Sequence, residues 1–113
     1  MDIGPVLDLD DLIGTKVRAL GDRGLARDAI DVHAARHLYT LADLETLAAR
    51  RPDEFDLHEL HDRLESLEWI SDAEFEAYGM STAPITELRR WAQHWLDDLT
   101  QRLAEPYDEP LDP

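Results

Sequence analysis

The chain lacks cysteine and is short of basic residues, and each shortage excludes a class of function. Without cysteine there is neither a disulfide bond nor a thiolate metal site. Eleven lysines and arginines face 26 acidic residues, which gives a formal net charge of −15 at pH 7. Because phosphate contacts need a basic patch, this balance argues against direct nucleic-acid binding by this chain alone. It argues equally against an anionic membrane surface.

Long hydrophobic runs are missing as well. No apolar run is long enough to span a bilayer, and the N-terminus lacks a signal-peptide pattern. We therefore expect a cytoplasmic protein without membrane contact. A length of 113 residues fits one domain with a modest hydrophobic core.

The main pattern in the sequence is the helical spacing of its apolar residues. It predicts a single all-α domain of about five or six helices over residues 1–104, with one short strand possible before residue 9. The predicted helices cover residues 9–21, 25–39, 41–51, 57–69, 72–79 and 84–104. Three prolines among acidic residues predict a disordered acidic tail over residues 105–113.

Capping residues mark several of these boundaries. Asp8 or Asp10 suits the cap of the first helix, so we interpret the D-x-D at residues 8–10 as capping chemistry rather than a metal-binding pair. Thr40 suits the cap of the third helix, and Asp56 and Ser71 each open a capping-box pattern. Pro52 ends the third helix, because the residue before a proline disfavours helical backbone.

Residues 9–39 contain the candidate site of the predicted domain. They comprise two helices joined by the turn GDRG. Lys16, the only lysine of the chain, lies on the apolar face of the first helix. Asp28 and Asp31 are three residues apart, so they project from one side of the second helix. We predict that Lys16 meets Asp28 or Asp31 where the two helices cross.

Two explanations of that cluster stand side by side. In the structural one, the cluster is a packing device, and Lys16 reaches water along its methylene chain. In the functional one, it is a ligand site, with the lysine for a phosphate group and the carboxylates for a metal or a proton.

The charged residues of this stretch fall into a longer pattern, D-L-x-x-x-K-x-x-A-L-x-x-R-G-x-x-R-D-x-x-D, from Asp11 to Asp31. The pattern resembles the second, helical half of the AbiEii/AbiGii nucleotidyltransferase toxin family. A looser similarity continues through residues 72–80 and the helix that carries Trp91 and Trp95. Residues 4–9 also resemble the family's lead-in strand, so the resemblance covers most of residues 3–100.

The resemblance implies specific roles for four residues. It implies nucleotide contacts by Lys16 and Arg27 and catalytic roles for Asp28 and Asp31. Magnesium and a nucleoside triphosphate would be the cofactor and substrate, and no residue here is assigned as a metal ligand.

The family's first half carries a Gly-Ser turn and a D-x-D metal-binding pair, and neither stands in that context in these 113 residues. The expected function is therefore the accessory half of a toxin–antitoxin nucleotidyltransferase, inactive without a catalytic core supplied elsewhere. Two alternatives are a protein-interaction module that has lost the chemistry and a purely structural helical domain. The face that would meet the other half lies in residues 3–20, where we expect a protein partner or a second copy.

Two histidine pairs have spacings that occur in metal sites. His33 and His37 are four residues apart, and His58 and His61 are three apart. The chain has no H-E-x-x-H motif, and acidic residues are abundant everywhere, so we expect no dedicated metal site.

The three tryptophans invite a base-stacking interpretation. They occur at helical spacing among leucines, so we expect core packing for all of them: Trp69, Trp91 and Trp95.

Overall fold

A computed structural model describes residues 8–104, which form six α-helices and contain no β-strand. The helices are α1 (Leu9–Arg23), α2 (Ala26–Ala34), α3 (Leu41–Ala48), α4 (Leu57–Ser66), α5 (Asp72–Glu76) and α6 (Thr82–Ala104). The predicted all-α class is confirmed. The predicted N-terminal strand and the predicted disordered tail lie outside the described residues. None of the described helices is long and apolar enough to cross a membrane.

Helix α1 is the central element, because its contacts with α2, α3 and α4 are more extensive than those of any other described helix. Val17 and Leu20 on its inner face are fully buried. Helix α6 closes the other side of the core and contacts α2, α4 and α5. Its buried side chains recur at helical spacing and are those of Ile85, Leu88, Ala92, Trp95, Leu96 and Leu99.

Short 3-10 turns shorten two helices relative to the prediction. Helix α2 ends at Ala34 and continues as a 3-10 turn to His37, and α4 ends at Ser66 before a 3-10 turn to Trp69. Tightened last turns are common at helix ends, where the last carbonyl groups have no α-helical partner. Helix α1 is longer than predicted, since it runs to Arg23 and stops at Gly24.

The predicted caps of α1 and α3 are confirmed. The Asp8 carboxylate accepts a hydrogen bond from the backbone N–H of Asp10. Thr40 and Asp43 form a reciprocal capping box. The Asp56 carboxylate caps α4 by accepting from the backbone N–H of His58, but the predicted reciprocal capping box is not formed there. The prediction was wrong for the cap of α5, because the Ser71 side chain makes no capping bond there.

The tryptophans occupy three different environments. Trp95 is fully buried, Trp91 is half-buried, and Trp69 is 83% exposed. Core packing was therefore the wrong prediction for Trp69. The helical spacing that would place it on the inner face of α4 stops at Ser66, and the 3-10 turn changes the direction of the next side chains.

Candidate functional site

Lys16 and Asp31 form an ion pair where α1 crosses α2. The Lys16 ammonium donates a hydrogen bond to Asp31 Oδ2 over 3.0 Å. The Lys16 side chain is 33% exposed and the Asp31 side chain 45% exposed. The predicted contact of Lys16 with one of the two carboxylates is confirmed. Because both groups reach the surface, the pair is accessible to a ligand.

Asp28 has a different environment from Asp31. It is only 4% exposed, and its carboxylate accepts hydrogen bonds from Arg23 Nε and Nη2, both over 2.9 Å. It also accepts from the backbone N–H of Leu25 over 3.1 Å. This carboxylate raises the pKa of Arg23 through the hydrogen bond and its negative charge. The ion pair of Asp28 among the described residues is thus with Arg23, whereas Lys16 pairs with Asp31.

The turn between α1 and α2 explains why the sequence brings these groups together. Gly24 has a φ of 59°, in the left-handed region, and a Cβ atom there would lie 2.9 Å from Cδ of Arg63. A side chain at residue 24 would strain the backbone and would have to displace the Arg63 side chain. The sharp turn carries Arg23 back over the first turn of α2, where Asp28 lies. Asp31 follows one helical turn later and faces Lys16.

Arg27 lies on the exposed surface of α2 and forms no ion pair with another residue among 8–104. It is four residues from Asp31, so the two share one face of the helix. Lys16, Arg27 and Asp31 therefore belong to one surface with two positive charges and one negative charge.

In each histidine pair one imidazole is exposed and the other is buried or half-buried. His33 is 5% exposed, whereas His37 is exposed. His61 lies instead beside the carboxylates of Asp62 and Glu65, with the ligand atoms of all three within 4.8 Å of one another. Exposed carboxylates group in this way on many acidic surfaces, so the arrangement alone assigns no function.

His33 is a buried imidazole that the sequence analysis did not single out as one. Burial lowers its pKa to about 4, and the positive charge of Arg36 acts in the same direction. Its ring lies 5.1 Å from the ring of Trp91, edge to face. Its Nε2 atom is buried without a hydrogen-bond partner among the described residues. His33 is therefore neutral at pH 7 and packs as a core residue.

Two polar contacts between distant segments were also missed by the sequence analysis. The Tyr39 hydroxyl donates to Asp10 Oδ1, which raises the pKa of Tyr39 to about 12. Glu45 of α3 accepts hydrogen bonds from Trp95 Nε1 over 2.8 Å and from Arg102 over 2.6 Å. A buried indole N–H needs a hydrogen-bond acceptor. The sequence could therefore predict that Trp95 has an acceptor, but not which residue provides it.

No protein-family model, no curated protein and no solved structure matches this chain. The interpretation of the surface around Lys16 therefore depends on its own side chains and on the pattern from Asp11 to Asp31.

Proposed function

We propose that this chain is the helical, nucleotide-binding half of an AbiEii-like nucleotidyltransferase, with Lys16 and Asp31 at the nucleotide site. The observation that supports the proposal best is the accessible ion pair between these two residues, over 3.0 Å, at the crossing of α1 and α2. It joins the lysine and the last aspartate of the pattern, which lie 15 residues apart in the sequence.

The chemistry of the pair suits a nucleoside triphosphate. A lysine ammonium binds phosphate oxygens as a compact charge that can move on its flexible chain. Asp31 holds that charge in place before the nucleotide arrives. Once Lys16 turns to a phosphate, the Asp31 carboxylate is free to accept the proton of an attacking hydroxyl group. Exposed Arg27 supplies a second positive charge on the same face.

Asp28 has a positioning role in this proposal. Its carboxylate is buried and engaged by Arg23 and by the backbone of Leu25, so it holds the first turn of α2 against the end of α1. That contact fixes the direction in which Asp31 projects. Asp28 thus contributes to the site through the orientation of α2.

Transfer of the nucleotide needs metal ions held against the phosphates, with the attacking group in line. We propose that the metal-binding pair lies outside these 113 residues and that the chain alone transfers no nucleotide. Incubation with a labelled nucleoside triphosphate, magnesium and candidate acceptors should leave every acceptor unlabelled. Labelling that disappears in Lys16→Ala would contradict the proposal.

Nucleotide binding is the direct test, measured by isothermal titration with and without magnesium. We expect Lys16→Met to weaken triphosphate binding about tenfold, since one charge-assisted contact is lost. Arg90→Met is the matched control, because it removes the same charge from an exposed position on α6. Equal losses in both variants would attribute binding to net charge, and no binding by the unmodified chain would contradict the proposal.

A protein-interaction role is the second candidate, favoured by Leu9. Its side chain is 48% exposed at the start of α1, and Leu12 on the next turn is half-buried. We propose that residues 3–20 bind a protein partner or a second copy of the chain; residues 3–7 of this surface lie outside the described residues. Analytical ultracentrifugation at moderate salt should show association that Leu9→Asn weakens. A strict monomer would rule out the second copy and favour a purely structural domain, unless a partner is found.

A further inference from the structure

A small apolar pocket opens on the face formed by α4, α5 and α6. It has a volume of about 150 Å³ and shares no residue with the surface around Lys16. Its walls are Leu64, Leu67, Phe75, Leu88 and Ala92. A volume of this size accommodates a benzene-sized group, that is, one leucine or phenylalanine side chain.

The polar groups around the mouth of the pocket leave it negatively charged. Arg89 donates to the carbonyl oxygen of Ile70 over 2.8 Å and to Asp72 over 2.6 Å, so its charge is neutralised locally. Gln93 is engaged by Asp97. Glu68 is exposed and forms no ion pair with another described residue. The carboxylate of Glu68 is therefore the unbalanced charge at the mouth.

Trp69 follows Glu68 directly and is 83% exposed. Tryptophan is among the residues that contribute most binding energy at protein interfaces. Leu64 and Leu88, which line the pocket, bury their side chains in the core, whereas this indole stays in water. The 3-10 turn Leu67–Trp69 thus places Leu67 and Glu68 on the pocket and leaves Trp69 in the solvent.

We propose that the pocket and Trp69 bind an apolar side chain carried on a cationic segment of another protein. The pocket accepts the apolar group, and Glu68 interacts with a lysine or arginine that flanks it. The net charge of −15 strengthens this preference, because it attracts cationic partners and repels anionic ones. A second copy of the chain would bring another strongly acidic surface to the same place and is disfavoured for that reason.

Three short peptides separate the contribution of the anchor from that of the charge. Their sequences are Lys-Lys-Phe-Lys-Lys, Glu-Glu-Phe-Glu-Glu and Lys-Lys-Ala-Lys-Lys, each blocked at both ends. Binding is followed by the chemical shifts of the Leu64 and Leu88 methyl groups and of the Trp69 indole N–H. We expect saturable shifts with the first peptide at dissociation constants of about 1 mM, as befits one anchored side chain. The other two peptides should bind about tenfold more weakly.

Two variants test the assignment of the pocket. Ala92→Leu fills the pocket and should weaken the first peptide about tenfold, whereas Ala34→Leu at an exposed position of α2 should leave it unchanged. Glu68→Gln keeps the pocket and should reduce the preference for the cationic peptide, which matters if Ala92→Leu fails to fold. The proposal is overturned if the alanine peptide binds as well as the phenylalanine peptide, or if a folded Ala92→Leu variant binds normally.

Discussion

Gly14 of α1 lies so close to the carbonyl oxygen of Leu47 in α3 that an added Cβ atom would be 2.7 Å from that oxygen. The obstacle is backbone, which cannot turn away as a flexible side chain can. We expect Gly14→Ala to push α1 and α3 apart and to lower the free energy of unfolding by about 1 to 3 kcal/mol. Urea denaturation followed by circular dichroism measures the change.

Gly21 in the same helix is the control for that prediction. A Cβ atom there would lie 3.7 Å from the Cα atom of Leu60, an ordinary contact distance. Gly21→Ala should therefore raise the free energy of unfolding by about 0.5 to 1 kcal/mol, because alanine is the better helix former. Two substitutions of the same kind in one helix should thus have opposite signs. Equal effects would contradict the close approach of α1 to α3.

Asp28 and Asp31 should differ sharply in their contribution to stability. Asp28→Ala removes the acceptor of three hydrogen bonds at a buried position and should cost about 1 to 3 kcal/mol. Asp31→Ala breaks a half-exposed ion pair and should cost less than about 1 kcal/mol. Paired urea melts decide the matter, and a larger loss in Asp31→Ala would contradict the assignment of Asp28 as the positioning residue.

Lys16→Ala should have little effect on stability for the same reason as Asp31→Ala. Both groups reach the surface, so removing the lysine leaves no buried carboxylate without a partner. A melting temperature close to that of the unmodified chain, together with weakened nucleotide binding, is the expected combination. A large drop in melting temperature would show instead that Lys16 is mainly structural.

The buried neutral imidazole of His33 should make the protein less stable in mild acid. Its pKa is about 4 in the folded chain and about 6.5 in an unfolded one, so the unfolded state binds more protons between these values. The contribution of the neutral His33 imidazole to the free energy of unfolding is fully present above pH 6.5. It is lost as the pH falls toward 4. We expect a loss of about 2 kcal/mol, less than the full pKa difference gives, since Arg36 is half-exposed and screened by salt.

His33→Gln is the variant that isolates this effect. It cannot titrate, so its free energy of unfolding should change less between pH 7 and pH 4.5 than that of the unmodified chain. Arg36, Glu87 and His37 are the charged or titratable groups that act on His33, and all three are retained in the variant. Parallel pH profiles for the two proteins would contradict the assignment.

Among the acidic residues of α3, Glu45 should be the one whose substitution lowers the free energy of unfolding most. Its carboxylate is the acceptor for both the buried Trp95 indole and Arg102. Glu45→Ala leaves the indole N–H without a partner and should cost about 1 to 3 kcal/mol. Glu45→Gln retains an acceptor oxygen and should recover part of the loss, as measured by denaturation. No recovery would indicate that the charge of Arg102 dominates.

The sequence predicted the parts of the fold that depend on regular spacing. The inner face of α1, with Val17 and Leu20, follows the 3.6-residue period, and so does the stripe of α6. The contact of Lys16 with an aspartate could also be predicted, because two adjacent helices cross near their connecting turn. Which aspartate it meets depended on the path of that turn, and Gly24 sets that path through a left-handed backbone conformation.

The features that the sequence could not predict arise where the backbone departs from a regular helix or where distant segments meet. The exposure of Trp69 results from a 3-10 turn that changes the periodicity after Ser66. The bond between Glu45 and Trp95 joins residues 50 positions apart, and nothing in either local sequence specifies the other. The pocket beside Leu88 exists only where three helices converge, so no single stretch of sequence signals it.

The central place of α1 has a consequence for how the protein opens. The helix with the most extensive contacts to the rest of the core can expose its backbone only when those contacts are lost. Amide hydrogens around Val17 and Leu20 should therefore exchange with deuterium at the rate of complete unfolding. The five-residue α5 should exchange through small local openings many times faster. The chain would then lose its peripheral helices first and keep α1 to the last.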